Sequence, residues 1–346
     1  MKLIKYKYSG KGFAPYLSGL KSNSYEKEFL IRFYRDMLRI RLIEEEIERR
    51  YHEDEMKSPI HLVIGQEASS VGSCGALRPE DQVYCGHRTH GIYLAKGGNL
   101  KAMMSELYCR TTGCAGSRGG SMHLFDKSVG MAGSSAIVAG AIPIATGAAL
   151  KAQLTGESWI VAAFLGDAAV EEGAFWEAVN FAVLKRLPIL YFCENNFFSV
   201  CSPIEVRQPE NAEIYKKAES FGLKSVKVDG TNVLEVYEAS RNMVEYARSG
   251  KGPAFIESVA YRWRGHGGAG DDSHTGYRDP AEVEHWQQFD PVKSYYDFLE
   301  QKNLLDGETR LAISKEIEAE VQEAFDFAIN SPNPIEDDLY THVYSD

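Results

Sequence analysis

The chain has 346 residues, with 49 Asp and Glu against 38 Lys and Arg, so its formal net charge at neutral pH is −11. Apolar residues make up 44% of the chain, which is typical of a globular protein with a large core. The acidic balance argues against binding nucleic acid or an anionic membrane surface through a basic face. No apolar run approaches the ~18 residues of a membrane span.

The N-terminal segment is basic, since residues 1–13 contain four lysines and no acidic residue. It lacks both the apolar stretch of a signal peptide and the arginines of a transit peptide. We therefore expect a short arm over residues 1–23 and one domain over residues 24–346, with a core at about 60–292. The six cysteines form no C-x-x-C pair, which favours reduced thiols and a cytoplasmic protein.

The first predicted element is a long amphipathic helix over residues 24–51, where apolar side chains recur every three or four positions. Ser22, Asn23 and Ser24 are its candidate N-caps. Residues 64–149 are rich in glycine and small residues, which predicts close backbone approach or a tight surface loop.

The most informative pattern lies between residues 159 and 193. An apolar run at 159–165 predicts a buried parallel strand, residues 173–186 have helical character, and 189–193 form a second apolar run. Strand, helix and strand in this order predict a βαβ unit with parallel strands and a right-handed crossover.

Polar residues follow both strands of this unit. Asp167 comes after the first strand, and Asn195 and Asn196 come after the second. The carboxyl ends of parallel strands lie at one edge of the sheet, where open α/β sheets bind ligands. A carboxylate and an amide at that edge suit a hard cation such as Mg²⁺, although singly they would fit a helix cap and a turn.

The remaining chain continues the α/β pattern. It predicts a short strand at 226–230, a helix at 233–248 and an apolar strand at 254–260. The following loop, residues 261–273, is so rich in glycine that we expect it to need a ligand for order. Helices such as 311–329 complete the chain.

A known motif matches the two strand ends. Gly166-Asp167, followed about 30 residues later by Asn195-Asn196, resembles the thiamin diphosphate motif, which opens with Gly-Asp-Gly and closes with Asn-Asn. The surrounding segments resemble, in order, the alpha subunit of the thiamin-dependent first component of 2-oxo acid dehydrogenase complexes, of the pyruvate and acetoin dehydrogenase type. These segments are Gly65-Gln66-Glu67-Ala68, Gly86-His87-Arg88-Thr89-His90-Gly91, Gly119-Gly-Ser-Met-His123, Ile137-Val138 to Pro143, Leu187-Pro188, Glu194-Asn195-Asn196 and Tyr261-Arg262 to Gly265-His266.

The resemblance covers about residues 33–292 and implies a fold and an activity. The fold would be a three-layer thiamin diphosphate-binding α/β fold, a mostly parallel sheet flanked by helices, with N- and C-terminal helical extensions. The activity would be that of an oxidoreductase that cleaves the bond next to a keto carbon of a small substrate and transfers the acyl group to a lipoyl acceptor. A beta subunit in an α2β2 heterotetramer would supply the missing pyrimidine-binding half, and a lipoyl-bearing acyltransferase would be the second partner.

The resemblance also assigns roles, with thiamin diphosphate and Mg²⁺ as cofactors. Asp167, the side chain of Asn196 and the backbone carbonyl of Phe198 would ligate Mg²⁺. Arg88 would pair with the diphosphate, since a guanidinium fork matches phosphate oxygens. The other residues implied to line the cofactor are His87, Ala136, Val138, Gly166, Ala168, Ala169 and His266.

Two histidines are implied to be catalytic, His266 on a mobile loop and His61 at the reacting centre. Imidazole suits proton transfer and stabilisation of developing negative charge near neutral pH. His90 and His123 are less certain, because they could simply support the loop. The spacing His87-x-x-His90 would suit zinc, but no third ligand has suitable spacing.

Several positions depart from the family pattern. Ala168 and Ala136 stand where glycine is usual, which costs about 1 kcal/mol if φ must be positive. Glu171-Glu172 replaces an Asn-Gln-like pair and would weaken diphosphate binding unless it occupies a solvated or N-terminal helix position. Gly267 and Gly276 stand at the positions of the regulatory serines of mitochondrial members, so phosphorylation control is expected to be absent.

Two alternatives remain beside the dehydrogenase. The chain could be a thiamin-dependent decarboxylase or carboligase subunit that uses no lipoyl partner. It could also be a non-catalytic structural subunit whose site has decayed, although the joint presence of Asp167, Asn196, Arg88 and His266 argues against decay.

Overall fold

The computed structural model describes residues 25–210, 212–341 and 343–344. The predicted basic arm and the candidate caps Ser22, Asn23 and Ser24 lie outside the described residues. The first helix, α1, spans Lys27–Arg50, with Glu26 at its N-cap position. In the part of the chain that is described, no helix is both long and apolar enough to cross a bilayer.

A six-stranded sheet forms the centre of the fold, in the order β2-β1-β3-β4-β8-β7. Every neighbouring pair in it is parallel. A separate antiparallel pair, β5 with β6, follows the end of β4. The strands are β1 (Gln82–Cys85), β2 (Met131–Ser134), β3 (Val161–Gly166), β4 (Ile189–Asn195), β5 (Phe198–Ser199), β6 (Ser202–Pro203), β7 (Lys224–Asp229) and β8 (Ala254–Val259).

Helices surround this sheet and account for most of the remaining chain. The other α-helices among the described residues are α2 (Glu67–Cys74), α3 (His90–Ala95), α4 (Leu100–Leu107), α5 (Ala141–Thr155), α6 (Gly173–Lys185), α7 (Ile204–Arg207), α8 (Ile214–Ser220), α9 (Val233–Arg248), α10 (Pro280–Gln287), α11 (Pro291–Gln301) and α12 (Gly307–Asn330). Short 3-10 helices occur at Tyr51–Glu53, Gly120–Met122, Lys127–Val129, Asp167–Glu171, Ser273–Thr275 and Glu336–Tyr340.

The sheet has an apolar cluster on each face, and strand alternation divides the side chains between them. On β3, Ala162 and Phe164 join the cluster that contains α1, α2, α9 and α12. Ala163 and Leu165 join the cluster formed by α5, α6 and α8. Burial of both faces explains why β3 and β4 are apolar throughout rather than alternating. The predicted three-layer α/β fold is confirmed.

The predicted elements are confirmed with shifts of a few residues, and the helix at Val233–Arg248 has the predicted bounds. The region 64–149, which gave no clear elements, contains α2 to α4, most of α5, and two four-residue strands. Helix α5 is rich in alanine and buries small side chains such as Ala145 and Ala149, so its sequence shows little apolar periodicity. The helical extensions meet, because Arg35 and Arg39 of α1 pair with Glu316 and Glu320 of α12.

We predict that Gly65→Ala lowers the free energy of unfolding by about 3 kcal/mol. Gly65 has φ +96°, and a Cβ there would lie 2.5 Å from the carbonyl oxygen of Tyr261 and 2.7 Å from the indole of Trp263. The substitution would separate two segments that carry site histidines. Chemical denaturation measures the effect.

The matched control is Gly156→Ala. Gly156 also has a positive φ of +70°, but a Cβ there meets nothing within 4 Å. Gly156→Ala should therefore lower the free energy of unfolding by about 1 kcal/mol, the cost of alanine in the left-handed conformation. Equal losses in the two variants would contradict the close approach at Gly65.

Candidate active site

The ends of β3 and β4 lie side by side, with Gly166 opposite Glu194. Asp167 and Asn196 follow these ends directly, and both line a cavity of about 200 Å³. The predicted convergence of a carboxylate and an amide at one edge of the sheet is therefore confirmed.

Asp167 is almost completely buried, with 2% of it exposed. Its carboxylate forms an ion pair with the guanidinium of Arg207. Burial raises the pKa of this carboxyl, and Arg207 opposes that rise. Asp167 is not a helix N-cap, because Gly166 holds that position before the 3-10 helix.

The two asparagines have different surroundings. The Asn195 amide nitrogen donates to Glu257 at 2.8 Å, and its oxygen accepts from the N–H of Phe197 at 3.1 Å. These contacts make it a structural residue at the strand end. Asn196 donates to Gln66 at 3.1 Å, and its Oδ1 accepts from the N–H of Phe198 at 3.4 Å. Asn196 and Phe198, rather than Asn195, line the cavity.

Three histidines from distant parts of the sequence meet in the same cavity. The ring centroids of His61 and His87 are 4.8 Å apart, and those of His266 lie 5.1 and 5.2 Å from them. One ring nitrogen of each lies within 4.8 Å of the others. The buried Nδ1 of His61 has no hydrogen-bond partner among the described residues. A small bound group could reach all three imidazoles.

Burial and a neighbouring cation keep these imidazoles neutral. Burial lowers the pKa of His61 to about 2, that of His87 to about 3 and that of His266 to about 4, and the Arg88 charge adds to each shift. Burial likewise raises the pKa of Glu194, which lines the cavity, to about 7. A neutral imidazole can both donate and accept a hydrogen bond, which proton transfer requires.

Arg88 is a buried cation at the cavity wall. One guanidinium nitrogen donates to the carbonyl of Leu62, and the other donates to the carbonyl of His266 at 3.1 Å. Burial lowers the pKa of this guanidinium to about 10, so it remains charged at neutral pH. A positive charge held by carbonyls suits an anionic ligand.

Buried carboxylates fix the segment that carries His61. Glu44 of α1 accepts from the N–H of Val63 at 2.7 Å and contacts His90 Nδ1 at 2.6 Å. Glu67 accepts from the N–H of Gly65 and pairs with Arg41 at 2.6 Å. These contacts join α1 and α2 to the cavity wall.

The remaining two candidate histidines have supporting contacts. His90 contacts Glu44 and, through Nε2, the hydroxyl of Ser121 at 2.8 Å, so both nitrogens are used inside the fold. His123 accepts from the N–H of Ala136 at 3.3 Å. A zinc site on His87 and His90 is incompatible with these contacts.

The loop at 261–273, which we expect to need a ligand for order, is contacted by charged side chains of the protein. Arg278 donates to the carbonyl of Arg262 at 2.8 Å and to Asp271 at 2.8 Å. Asp272 accepts from the N–H of His266 at 3.2 Å and from Tyr277 at 2.7 Å. These ionic contacts offset the flexibility of the glycines.

The residues expected to line the cofactor all line this cavity: His87, Arg88, Ala136, Val138, Gly166, Asp167, Ala168, Ala169, Asn196 and His266. Ala168 lies in the 3-10 helix Asp167–Glu171. Neither Ala168 nor Ala136 is among the residues with positive φ, so neither alanine carries the backbone strain of a left-handed conformation. Ala139, which was not singled out, has φ +62° instead.

The acidic residues Glu171 and Glu172 have surroundings that the motifs did not indicate. Glu171 forms an ion pair with Arg207 at 2.5 Å, and Glu172 occupies the N-cap position of α6. Arg207, Gln66 and Met122 were missed as residues of the site. The only sequence signal for Arg207 was a lone arginine in the loop after the two asparagines.

Comparison with known proteins agrees with the motif. The model of the family described as "Dehydrogenase E1 component" matches residues 35–336. The alpha-3 subunit of the chloroplastic pyruvate dehydrogenase E1 component of Arabidopsis thaliana is 36% identical over 326 residues, 92% of this chain and 75% of that protein. The pyruvate dehydrogenase E1 alpha subunit of Rickettsia bellii is 35% identical over 92% of this chain and 96% of its own. The alpha subunit of acetoin:2,6-dichlorophenolindophenol oxidoreductase of Bacillus subtilis is 32% identical over 93% and 95%.

We predict that His61, His87 and His266 stay neutral in the folded protein from pH 8 down to pH 5. Histidine-selective NMR measures their protonation, with signals assigned from the three single His→Gln variants. The unfolded chain takes up these protons near pH 6.5, so the free energy of unfolding should fall as the pH drops from about 6.5 towards 4. Signals that titrate near pH 6.5 would contradict the lowered pKa values of the three rings.

Proposed function

This chain belongs to the dehydrogenase E1 component family, and on that basis we propose that it is the alpha subunit of a thiamin diphosphate-dependent dehydrogenase for a pyruvate-like 2-oxo acid or for acetoin. The observation that carries the proposal is the meeting of Asp167, Asn196, Arg88 and the three histidines in one cavity. The activity is that of an oxidoreductase acting on an oxo group, with a disulfide as acceptor.

The residues of the cavity fit a magnesium diphosphate. Asp167 and Asn196 offer oxygen ligands of the kind that Mg²⁺ prefers. Arg88 supplies a fixed positive charge, and a Cβ built at Gly166 meets nothing within 4 Å, so there is open space beside the ligands. We propose that Asp167, the side chain of Asn196 and the backbone carbonyl of Phe198 ligate the metal.

The bound thiamin supplies a carbon nucleophile and an electron sink for cleavage next to the keto carbon. The protein binds and orients the reactants. Arg88 would hold the diphosphate, and Ala136, Val138, Ala168 and Ala169 would line the bound group. Gly166 leaves the space that the diphosphate needs.

We propose that His61 and His266 hold and move protons at the reacting oxygen. Both rings are neutral at working pH, so each can donate an N–H to an oxygen that gains negative charge. The His61 ring lines the cavity beside His266. The His266 backbone is held by Asp272 and Arg88, which fixes the position of the ring.

We propose a beta subunit as the first partner, in an α2β2 assembly. Apolar side chains at and beside the cavity rim are exposed, with Ile137 at 72%, Val138 at 50% and Ile144 at 61%. Exposed apolar residues that are grouped in this way mark a protein interface. The second proposed partner is an acyltransferase whose lipoyl group accepts the acyl product.

The proposed setting is the cytoplasm, with residues 24–346 acting as one domain. All six cysteines are free, which suits a reducing compartment. The pairing of α1 with α12 supports a single domain, because it joins the two ends of the described chain.

We predict that the complex with its beta subunit binds thiamin diphosphate in a Mg²⁺-dependent manner. Isothermal calorimetry with Mg²⁺ should show binding, and EDTA should abolish it. Asp167→Ala should abolish it as well, because the carboxylate ligand is removed. The control is Asp337→Ala at an exposed position outside the cavity, which should leave binding unchanged.

Two results would contradict this assignment. Binding that is insensitive to EDTA would remove the metal from the proposal. A well-folded complex that binds no thiamin diphosphate would mean that the altered motif has closed the site, and a structural role would then lead.

We predict that His266→Gln lowers kcat about 100-fold or more while thiamin diphosphate affinity stays close to wild type, because the proton-transfer group is lost but the diphosphate site is kept. The assay follows reductive acylation of a lipoyl domain with pyruvate or acetoin as substrate. His52→Gln at an exposed position is the control. Activity with an artificial dye but none with any lipoyl domain would favour a subunit without a lipoyl partner.

A further inference from the structure

Arg207 places a positive charge of the protein at the proposed metal ligand. It is the last residue of the short helix α7, and its side chain is 10% exposed. Its Nη2 donates to Asp167 and lies 3.4 Å from the carbonyl oxygen of Phe197. The carboxylate that would bind Mg²⁺ is therefore already paired with a cation.

The same guanidinium has a second carboxylate. Its Nη1 pairs with Glu171 at 2.5 Å, and Glu171 also accepts from the Gln208 side chain at 3.1 Å. Gln208 is in turn fixed by Lys217, which donates to it at 2.9 Å. Glu171 is thus held in place by groups other than Arg207.

Because the side chain of Arg207 is anchored, its guanidinium can leave Asp167 while it stays paired with Glu171. Its Nε donates to the carbonyl of Ser202 at 3.1 Å, which ties the base of the guanidinium to strand β6. The guanidinium contacts Oδ2 of Asp167. A divalent ion bound to the same carboxylate would repel this cation at short range, which favours displacement of the guanidinium. Glu171 remains a carboxylate partner for the displaced guanidinium.

We propose that Arg207 is an internal competitor for the divalent cation at Asp167, and that Glu171 is the residue that retains it when the metal binds. This inference rests on the proposed magnesium site. It also gives a role to Glu171, whose charge is directed at Arg207 and not at the diphosphate. Metal binding then includes the cost of breaking the pair between Arg207 and Asp167.

The test measures Mn²⁺ affinity of the alpha–beta complex by electron paramagnetic resonance, with and without thiamin diphosphate. Arg207→Gln should tighten Mn²⁺ binding by about tenfold or more, because the competitor is removed. Glu171→Gln should weaken Mn²⁺ binding by about tenfold, because the guanidinium loses its second carboxylate partner and stays paired with Asp167. Arg207→Lys retains a charge and should remain closer to wild type than Arg207→Gln.

Two controls keep the result interpretable. Arg241→Gln removes an exposed arginine on α9 that pairs with Glu238, and it should leave Mn²⁺ binding unchanged. Asp167→Asn should abolish the site. Since Arg207→Gln and Glu171→Gln are expected to act in opposite directions, a general loss of folding cannot imitate both.

The outcomes separate the two proposals. An Asp167-dependent Mn²⁺ site whose affinity is unchanged or weakened in Arg207→Gln would overturn the competition while leaving the magnesium site intact. The absence of any Asp167-dependent site in the wild-type complex would overturn both.

Discussion

The register between β3 and β4 is the constraint on which the site depends. Gly166 lies opposite Glu194, so the residues that follow each strand leave the sheet at the same level. A shift of one residue would turn the side chains of one strand to the opposite faces of the sheet and separate Asp167 from Asn196. The register is protected because the alternate residues of β3 are committed to two different apolar clusters. Packing of the core thus sets the distance between Asp167 and Asn196 at the edge of the sheet.

Contacts of acidic side chains extend this order to segments that have no regular structure. The strand ends supply only part of the cavity wall, and the histidines come from loops. Glu44 and Glu67 hold the loop before α2, while Asp271 and Asp272 hold the glycine-rich loop after β8. Glu44 and Glu67 are fully buried. Buried carboxylates are costly unless they are paired, so the cost of these two is offset only in the complete fold. Partial burial of the rings and the charge of Arg88 keep the imidazoles uncharged.

Much of the fold was predictable, because parallel strands buried on both faces give unmistakable apolar runs. The βαβ unit and the position of Asp167 and Asn196 followed from those runs alone. The region before it was not predictable in this way, since α5 is rich in alanine and shows little apolar periodicity. Arg207 could not be assigned to the site, because its contact with Asp167 depends on how the chain reverses after Asn196. Positive φ at Phe197 and Val200 makes that reversal, and neither residue type favours it. The φ of Ala168 also could not be predicted from the sequence, because backbone angles in a short 3-10 turn depend on the surroundings of that turn.

The main-chain bonds between the two histidine-bearing loops have a consequence for how the molecule forms. The N–H of Trp263 donates to the carbonyl of Ile64 at 3.1 Å, and that of Gly268 donates to the carbonyl of Ile60 at 2.8 Å. These bonds join points about 200 residues apart along the chain. Contacts of such long separation require closure of a large loop, whose entropic cost is lower once the intervening strands and helices are ordered. We therefore expect the histidine cluster to assemble late in folding, after the sheet that positions its loops.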